Sequence, residues 1–423
     1  MHRIELEASQ RILLLDGAMG TMIQSLPLTE NDYRDASLVQ HPGQLKGNSD
    51  LLNITRPDAI QNIHLQYLQA GADILSTNTF GANRISQEDY QLAHRVYEMN
   101  YQGVVLARKA IAEYRKTHPD KALFVAGAMG PTTKLASLSP DINNPGFRSV
   151  TFDQLAEAYT EQAIALIDGG ADLFLLETIT DTLNAKAALY ALMDLFDSLG
   201  RQYPIMVSGT ITDASGRILS GQTIEAFLVS ISHAPLLSVG LNCAFGAKEL
   251  RPFVEVVHKE TSFLTSAHPN AGLPNQFGEY EQSAEEFATL VGEFAANGWL
   301  NVVGGCCGTT PEHIAATARI IKDMKPRDKR ESGRKSRNVW IDADTQAIMQ
   351  KWLQDENDKQ AALPLTQLMQ VVSSVEDEAT FRQVKAKFEA QQMFYHPEQA
   401  ALVNAQLFGR YQYLRIENRL QQK

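Results

Sequence analysis

Cysteine is scarce in this 423-residue chain, which has only Cys243, Cys306 and Cys307. So sparse and odd a set excludes a disulfide framework for a chain of this size. It leaves metal binding, catalysis or inert core packing as its uses. Long apolar runs are missing too, since no stretch approaches the roughly 18 residues that a membrane span needs. The opening segment, MHRIELEASQR, lacks the apolar stretch of a signal peptide, so a soluble, cytoplasmic protein with no membrane partner is expected. Positive charge is in deficit: 38 Lys and Arg stand against 49 Asp and Glu, for a net charge of -11. That balance excludes a nucleic-acid surface, because neutralising phosphates takes a basic face. What the chain does have is 44% hydrophobic residues, enough for a large core and incompatible with a disordered chain.

Those residues are arranged in a repeating order from residue 11 to about residue 320. Eight short apolar runs, RILLLDGAM, ADILSTNTF, LFVAGAMGP, ADLFLLET, PIMVSGT, LLSVGLNC, SFLTSAHPN and WLNVVGGCC, read as buried strands. Amphipathic stretches of helical length separate them. One begins at Pro57 and stops at Gly71, with Ile60, Ile63, Tyr67 and Leu68 on a single face. Another opens with capping-box spacing at Thr151-Phe152-Asp153-Gln154 and stops at Gly169-Gly170. Two junctions echo each other, Ala70-Gly71-Ala72-Asp73 and Gly169-Gly170-Ala171-Asp172, each closing a helix and leading straight into a strand. Eight such units predict an α/β fold, a (β/α)8 TIM barrel over residues 1–324. An open doubly wound sheet is the other solution, but no GxGxxG loop follows the first strand. The strand-to-helix loops are long, as at 129–150 and 268–282, whereas the helix-to-strand turns are tight. The functional site is therefore expected at the carboxyl ends of the strands.

The composition changes near residue 325. Residues 325–338 hold seven basic and two acidic residues and read as a basic linker. Residues 339–423 read as a mostly α-helical C-terminal extension of unassigned role. Its aromatic residues Phe394, Tyr395, Phe408, Tyr411 and Tyr413 are expected to pack against the barrel or another subunit.

Cys243 ends the sixth strand and Cys306-Cys307 end the eighth, so a barrel brings the three sulfurs to one rim. Three thiolates suit zinc and leave the fourth tetrahedral position open to an incoming ligand. A thiol fits that position, since coordination deprotonates a group of which only about 3% is thiolate at pH 7. A thiolate-rich metal is a poor Lewis acid, so alkyl transfer onto sulfur suits it better than hydrolysis. Inert packing of the cysteines, or a redox pair at 306–307, are the alternatives that spacing leaves open.

Other residues on the same rim suit an amino-acid ligand. The small residues of Asp16-Gly17-Ala18-Met19-Gly20-Thr21 let a carboxylate approach backbone amides. Asp16 and Glu177 can bind an ammonium group, with a helix cap as the alternative for Asp16 and an internal ion pair for Glu177. Thr77, Asn78 and Thr79 fit loop satisfaction better than ligand contact. His268 and His313 lie near the rim, where three sulfurs make a histidine ligand unnecessary. His64, on a helix face, is structural.

At DGAMGT (16–21), GLNC (240–243) and GGCCGTTPEHI (304–314) the chain resembles the homocysteine S-methyltransferase family. At LKGNSDLLNITRP (45–57), TITDASGRILSGQT (210–223) and SAHPNAGLPNQFGEY (266–280) it looks like the homocysteine-binding module of cobalamin-dependent methionine synthase. The resemblance covers about residues 5–324. It implies Zn2+ on Cys243, Cys306 and Cys307, with homocysteine bound through its sulfur. The amino group would lie near Asp16 and Glu177 and the carboxylate at the amides of Ala18 and Met19, while Thr77 and Asn242 occupy matching substrate-site positions. It further implies methyl transfer giving methionine. After residue 325 there is no second barrel and no DxHxxG cobalamin motif, so methylcobalamin is expected from a separate folate- and cobalamin-binding polypeptide. S-methylmethionine or betaine as donor, and a non-catalytic thiol-binding subunit, are the competing expectations.

Overall fold

The computed structural model describes residues 2–328 without a break. Beyond them it describes 343–354, 363–375, 377–392, 395–397, 399–400, 403–404, 406–407 and 410–411. The eight expected strands all form: β1 Leu13–Leu14, β2 Ile74–Ser76, β3 Phe124–Met129, β4 Leu173–Ile179, β5 Ile205–Gly209, β6 Ser238–Gly246, β7 Leu264–Asn270 and β8 Val302–Val303. A helix follows each: α1 Pro57–Gln69, α2 Val96–Tyr114, α3 Phe152–Gly169, α4 Thr182–Leu199, α5 Ile224–Ile231, α6 Ala247–Glu260, α7 Ala284–Ala296 and α8 Pro311–Ile321. Every strand pairing is parallel, and the order runs β1-β8-β7-β6-β5-β4-β3-β2. A parallel bridge between Leu15 and Ile74 closes the circle, which makes the sheet a (β/α)8 barrel. Strands β1 and β8 are only two residues long, shorter than their apolar runs suggest. Their carboxyl ends turn away early, at Asp16-Gly17 and Gly304-Gly305, to build the rim.

The repeated Ala-Asp junctions have a physical purpose. Asp73, just before β2, accepts from the Leu14 amide of β1 at 3.0 Å, and Asp172, just before β4, accepts from the Val125 amide of β3 at 2.8 Å. Asn301, just before β8, does the same for the Thr265 amide of β7 at 3.0 Å. Each carboxyl or carboxamide satisfies a strand amide at the amino end of the barrel and fixes the stagger between neighbours. That end is filled by an N-terminal helix, Arg3–Gln10, whose Ile4 and Ala8 join Leu13, Phe124, Leu173, Met206, Leu264 and Val302 in one apolar cluster.

The helix limits follow their sequence signals. Pro57 starts α1 and Gly71 takes φ +109 beyond its end. Thr151 caps α3 through a reciprocal box with Gln154, and Gly170 closes it at φ +94. The basic stretch expected as a linker begins inside the barrel, where its third residue, Arg327, is buried. Arg327 is 3% exposed and donates to the carbonyls of His258, Thr261 and Phe263. The rest of that stretch, 329–338, lies outside the described residues.

The chain divides into two compact units, the barrel and a smaller helical unit. The second contains α9 Ala343–Gln354, α10 Leu365–Ser374 and α11 Glu378–Gln391. Its own apolar core includes Trp352, Leu368, Val371, Val372, Phe381, Val384 and Phe388. Tyr395 packs on Phe388 and Tyr411 on Phe381, so both aromatics pack against the unit's own core. Phe394, Phe408 and Tyr413 lie outside the described residues. Among the described residues no helix is long and apolar enough to cross a membrane.

His64, on α1, is fully buried, and neither ring nitrogen has a partner. Burial pushes its pKa down to about 4. Its contribution to stability is therefore complete above about pH 6.5, where it is neutral in folded and unfolded chains alike, and is lost as pH falls toward 4. At about pH 5 that linkage costs the wild type about 2 kcal/mol relative to about pH 7.5. In urea unfolding at both pH values, His64→Leu should lack this part of the acid destabilisation, and an unchanged pH dependence would count against it.

Candidate active site

The carboxyl ends of β6 and β8 carry the three sulfurs to one place. Cys243 Sγ and Cys307 Sγ are 3.7 Å apart, and the ligating atoms of Cys243, Cys306 and Cys307 all lie within 4.8 Å of one another. Two sulfurs bound at about 2.3 Å to one tetrahedral ion stand about 3.8 Å apart, so the trio has the dimensions of a metal clamp. Among the described residues it is the one cluster of histidine, cysteine or acidic side chains with such spacing. None of the three is in a disulfide.

Two local distortions build this geometry. Cys243 and Ala244 have φ of +61 and +59, and the β6–β7 register shifts between Asn242 and Gly246. Left-handed backbone at two successive side-chain-bearing residues costs about 1–3 kcal/mol each, and here it swings the Cys243 sulfur off the strand's alternation towards Cys307. On the other side, Cys306 N donates to the Pro269 carbonyl at 2.8 Å and Ala271 N to the Cys307 carbonyl at 2.9 Å. These bonds pin the vicinal pair to the end of β7. As thiols the three titrate as one unit. Cys307 ionises first, held low by hydrogen bonds from Cys243 and then Cys306, while Cys306 is pushed well up by its bonds to Cys243 and Cys307. A trio that gives up one proton readily and resists losing the others suits a divalent cation that replaces them.

The acidic residues expected on the rim are there. Asp16 is 2% exposed and accepts from Ser76 through both oxygens, from the amide at 2.9 Å and the hydroxyl at 2.7 Å. It is not a helix cap. Burial raises its pKa well above the usual carboxylate range, against the two Ser76 bonds and with the help of Glu177. Glu177 makes no ion pair among the described residues, and burial followed by the neighbouring Cys307 raises it to about 7. Two carboxyls held up in this way lack a cation, and an ammonium group between them would return both to the charged form.

Most of the remaining rim residues are engaged within the protein. The Ala18 amide donates to Thr309 Oγ1 at 3.1 Å, so it already has a partner within the protein, while Met19 opens a short helix, Met19–Gln24. Thr77 Oγ1 lies 2.6 Å from Thr79 Oγ1 and accepts from the Ala128 amide at 2.9 Å, which ties β2 to β3. Asn78 is spent on Ser49 and Asn53. His313 caps α8 with Thr310 and meets the Gln282 carbonyl. His268 is buried, with its pKa lowered to about 4 by burial, and it stands outside the metal-spaced cluster.

Asn242 holds the two sides of the site together. Its Oδ1 accepts from the Thr178 amide at 2.9 Å, and its Nδ2 donates to Thr178 Oγ1 at 2.8 Å and to Cys306 Sγ at 3.9 Å. Thr178 has φ +59, beside a register shift in β4 that turns Glu177 into the mouth. One carboxamide thus braces the bend that presents Glu177 and touches one of the clustered sulfurs. Sequence reading missed Thr178, Ser76, Thr309 and Tyr280. The Tyr280 phenol is raised to about 12 by burial and the charge of Cys307. Asn270, paired in register with Gly246, is buried with an Oδ1 that has no partner. The last two fall inside the quoted 266–280 segment, which was the available signal. Removal of the brace in Asn242→Ala should weaken divalent-metal affinity by about 10- to 100-fold in chelator competition, and an unchanged affinity would contradict this role.

The comparisons agree with this geometry. The family model described as homocysteine S-methyltransferase matches residues 13–321. Crystal structures of the homocysteine methyltransferase MmuM from Escherichia coli are similar to this chain. The metallated form shares 25% identity with a TM-score of 0.58, over 74% of this chain and 98% of that one. The oxidised form, at 24% identity and a TM-score of 0.57, covers 74% of this chain and 99% of that one and supports the fold. With a barrel of the right order, a sulfur trio at its mouth and a family match across the whole barrel, this chain belongs to the homocysteine S-methyltransferase family.

Proposed function

We propose that this chain holds a zinc ion on Cys243, Cys306 and Cys307 and transfers a methyl group to the thiolate of homocysteine, giving methionine. The observation that carries the reading is the convergence of three sulfurs within 4.8 Å beside two buried, cation-lacking carboxyls. When bound, zinc supplies a deprotonated thiol at neutral pH, where about 3% of a free thiol is ionised.

The chain's own residues do the rest. Asp16 and Glu177 take the ammonium group and recover their ionised forms by doing so. The substrate carboxylate lies at the Met19 amide of the 16–21 loop, whose Ala18 amide stays bonded to Thr309 Oγ1. Held at both ends, the substrate presents its sulfur outward at the mouth. The sulfur attacks the methyl carbon in line; the new S–C bond forms as the donor's bond to that carbon breaks, and the electron pair stays with the donor. Fixing both reactants in this way removes much of the orientational cost of a two-substrate reaction.

For the donor we propose methylcobalamin carried by a separate polypeptide. The segments 45–57, 210–223 and 266–280 support this through their likeness to the cobalamin-dependent enzymes. Purified protein given homocysteine with methylcobalamin, S-methylmethionine or glycine betaine in parallel should form methionine with the first. Turnover with a small donor and none with methylcobalamin would reverse the donor assignment. Cys306→Ser should retain far less than the expected one zinc per chain and lose activity by at least about a hundredfold. Full turnover by that variant would refute the assignment.

A further inference from the structure

The loop after β1 and the turn after β8 are stitched together by backbone groups and by hydroxyl groups. Gly305 N donates to the Asp16 carbonyl at 3.2 Å, and Gly308 N donates to Thr21 Oγ1 at 2.9 Å. Thr309 Oγ1 accepts from the Ala18 amide at 3.1 Å and donates to the Cys306 carbonyl at 2.7 Å. One hydroxyl therefore joins the substrate loop to the backbone of a metal-site cysteine. Tyr67, from α1, closes the other side: its phenol lies 3.1 Å from the Ala18 carbonyl and 3.3 Å from the Thr309 carbonyl. A single phenolic proton serves one carbonyl on each segment. Tyr67 is fully buried, and its sequence position marks it only as core. A Cβ on Gly17 would come within 2.9 Å of both Thr309 Oγ1 and the Tyr67 ring, so the approach of the two segments requires glycine there.

The turn at 304–309 carries two of the three sulfurs, and the 16–21 loop carries Asp16 and the amides of Ala18 and Met19. What fixes one segment also fixes the other. We propose that Tyr67 and Thr309 are positioning residues that couple metal binding at the cysteines to binding of a substrate's amino-acid end at the 16–21 loop. The inference rests on the homocysteine reading above and deepens it, because it makes the two halves of the site one cooperative unit. The coupling is reciprocal: metal strengthens amino-acid binding by the factor by which the amino acid strengthens metal binding.

A ligand without sulfur separates this coupling from the direct metal–sulfur bond. L-Norleucine keeps the ammonium, the carboxylate and an apolar chain. The experiment measures norleucine affinity by calorimetry on zinc-loaded and zinc-stripped full-length protein, and zinc affinity by chelator competition with and without norleucine. In the wild type both factors should agree, at about 5- to 20-fold. Tyr67→Phe keeps the ring and removes the hydroxyl, and Thr309→Val keeps the shape and removes the bridge. In either variant the factor should fall to within about twofold, and having two variants guards against one that fails to fold. A Tyr67 that is merely structural would lower the melting temperature and leave the factor unchanged. That result overturns the proposal, as does norleucine binding in the wild type that ignores zinc or cannot be detected in either form. Failure of the wild type to methylate homocysteine would instead remove the functional reading, while the coupling would still be measurable.

Discussion

Three sulfurs from two non-adjacent strands can meet only if the sheet between them is held to one stagger. The convergence of Cys243 with Cys306 and Cys307 is the constraint on which the rest of the site depends. Fixed strand register brings β6 and β8 to the same rim; from the opposite end Asn301 ties β8 to β7, and Asp73 and Asp172 do the same for β2 with β1 and β4 with β3. The barrel's amino end therefore sets the precision of its carboxyl end. A slip of one residue in β6 would turn Cys243 away from the mouth.

Regular strands would not suffice. The chain accepts left-handed backbone at Thr178, Cys243 and Ala244, three of the four side-chain-bearing residues with positive φ among those described. All three lie at the mouth. Asn242 stands between them, braced against Thr178 and touching Cys306. The surrounding fold offsets this local cost, and what results is a sulfur trio with the spacing of a tetrahedral metal clamp. The same economy appears in the loops, where Asp16 is oriented by Ser76, and Ala18 of the 16–21 loop is held at its amide by Thr309 and at its carbonyl by Tyr67.

Much of this was legible in the residues. Eight apolar runs with glycine-closed helices between them specify the barrel, and cysteines at two strand ends specify the trio, because both signals are periodic or compositional. Asp16 and Glu177 were legible as acids closing apolar runs. What remained hidden depends on a third dimension. The resemblance placed Asn242 at a substrate-site position, and nothing in the sequence showed that its carboxamide also meets Thr178 two strands away. Thr77 is engaged within the fold, as its loop position suggested, by the Thr79 hydroxyl and the Ala128 amide. Tyr67 lies on the apolar face of α1 and reads as core, since nothing in the spacing of a helix shows where a phenolic oxygen ends up. The early ends of β1 and β8 escaped notice for a related reason: glycines permit a turn without showing where it begins.

Zinc X-ray absorption on the purified protein tests the central claim most directly. The account predicts three sulfur scatterers at about 2.3 Å with one lighter neighbour, and a fourth sulfur at a similar distance once homocysteine is added. A shell dominated by nitrogen and oxygen, or one that homocysteine leaves unchanged, would contradict it.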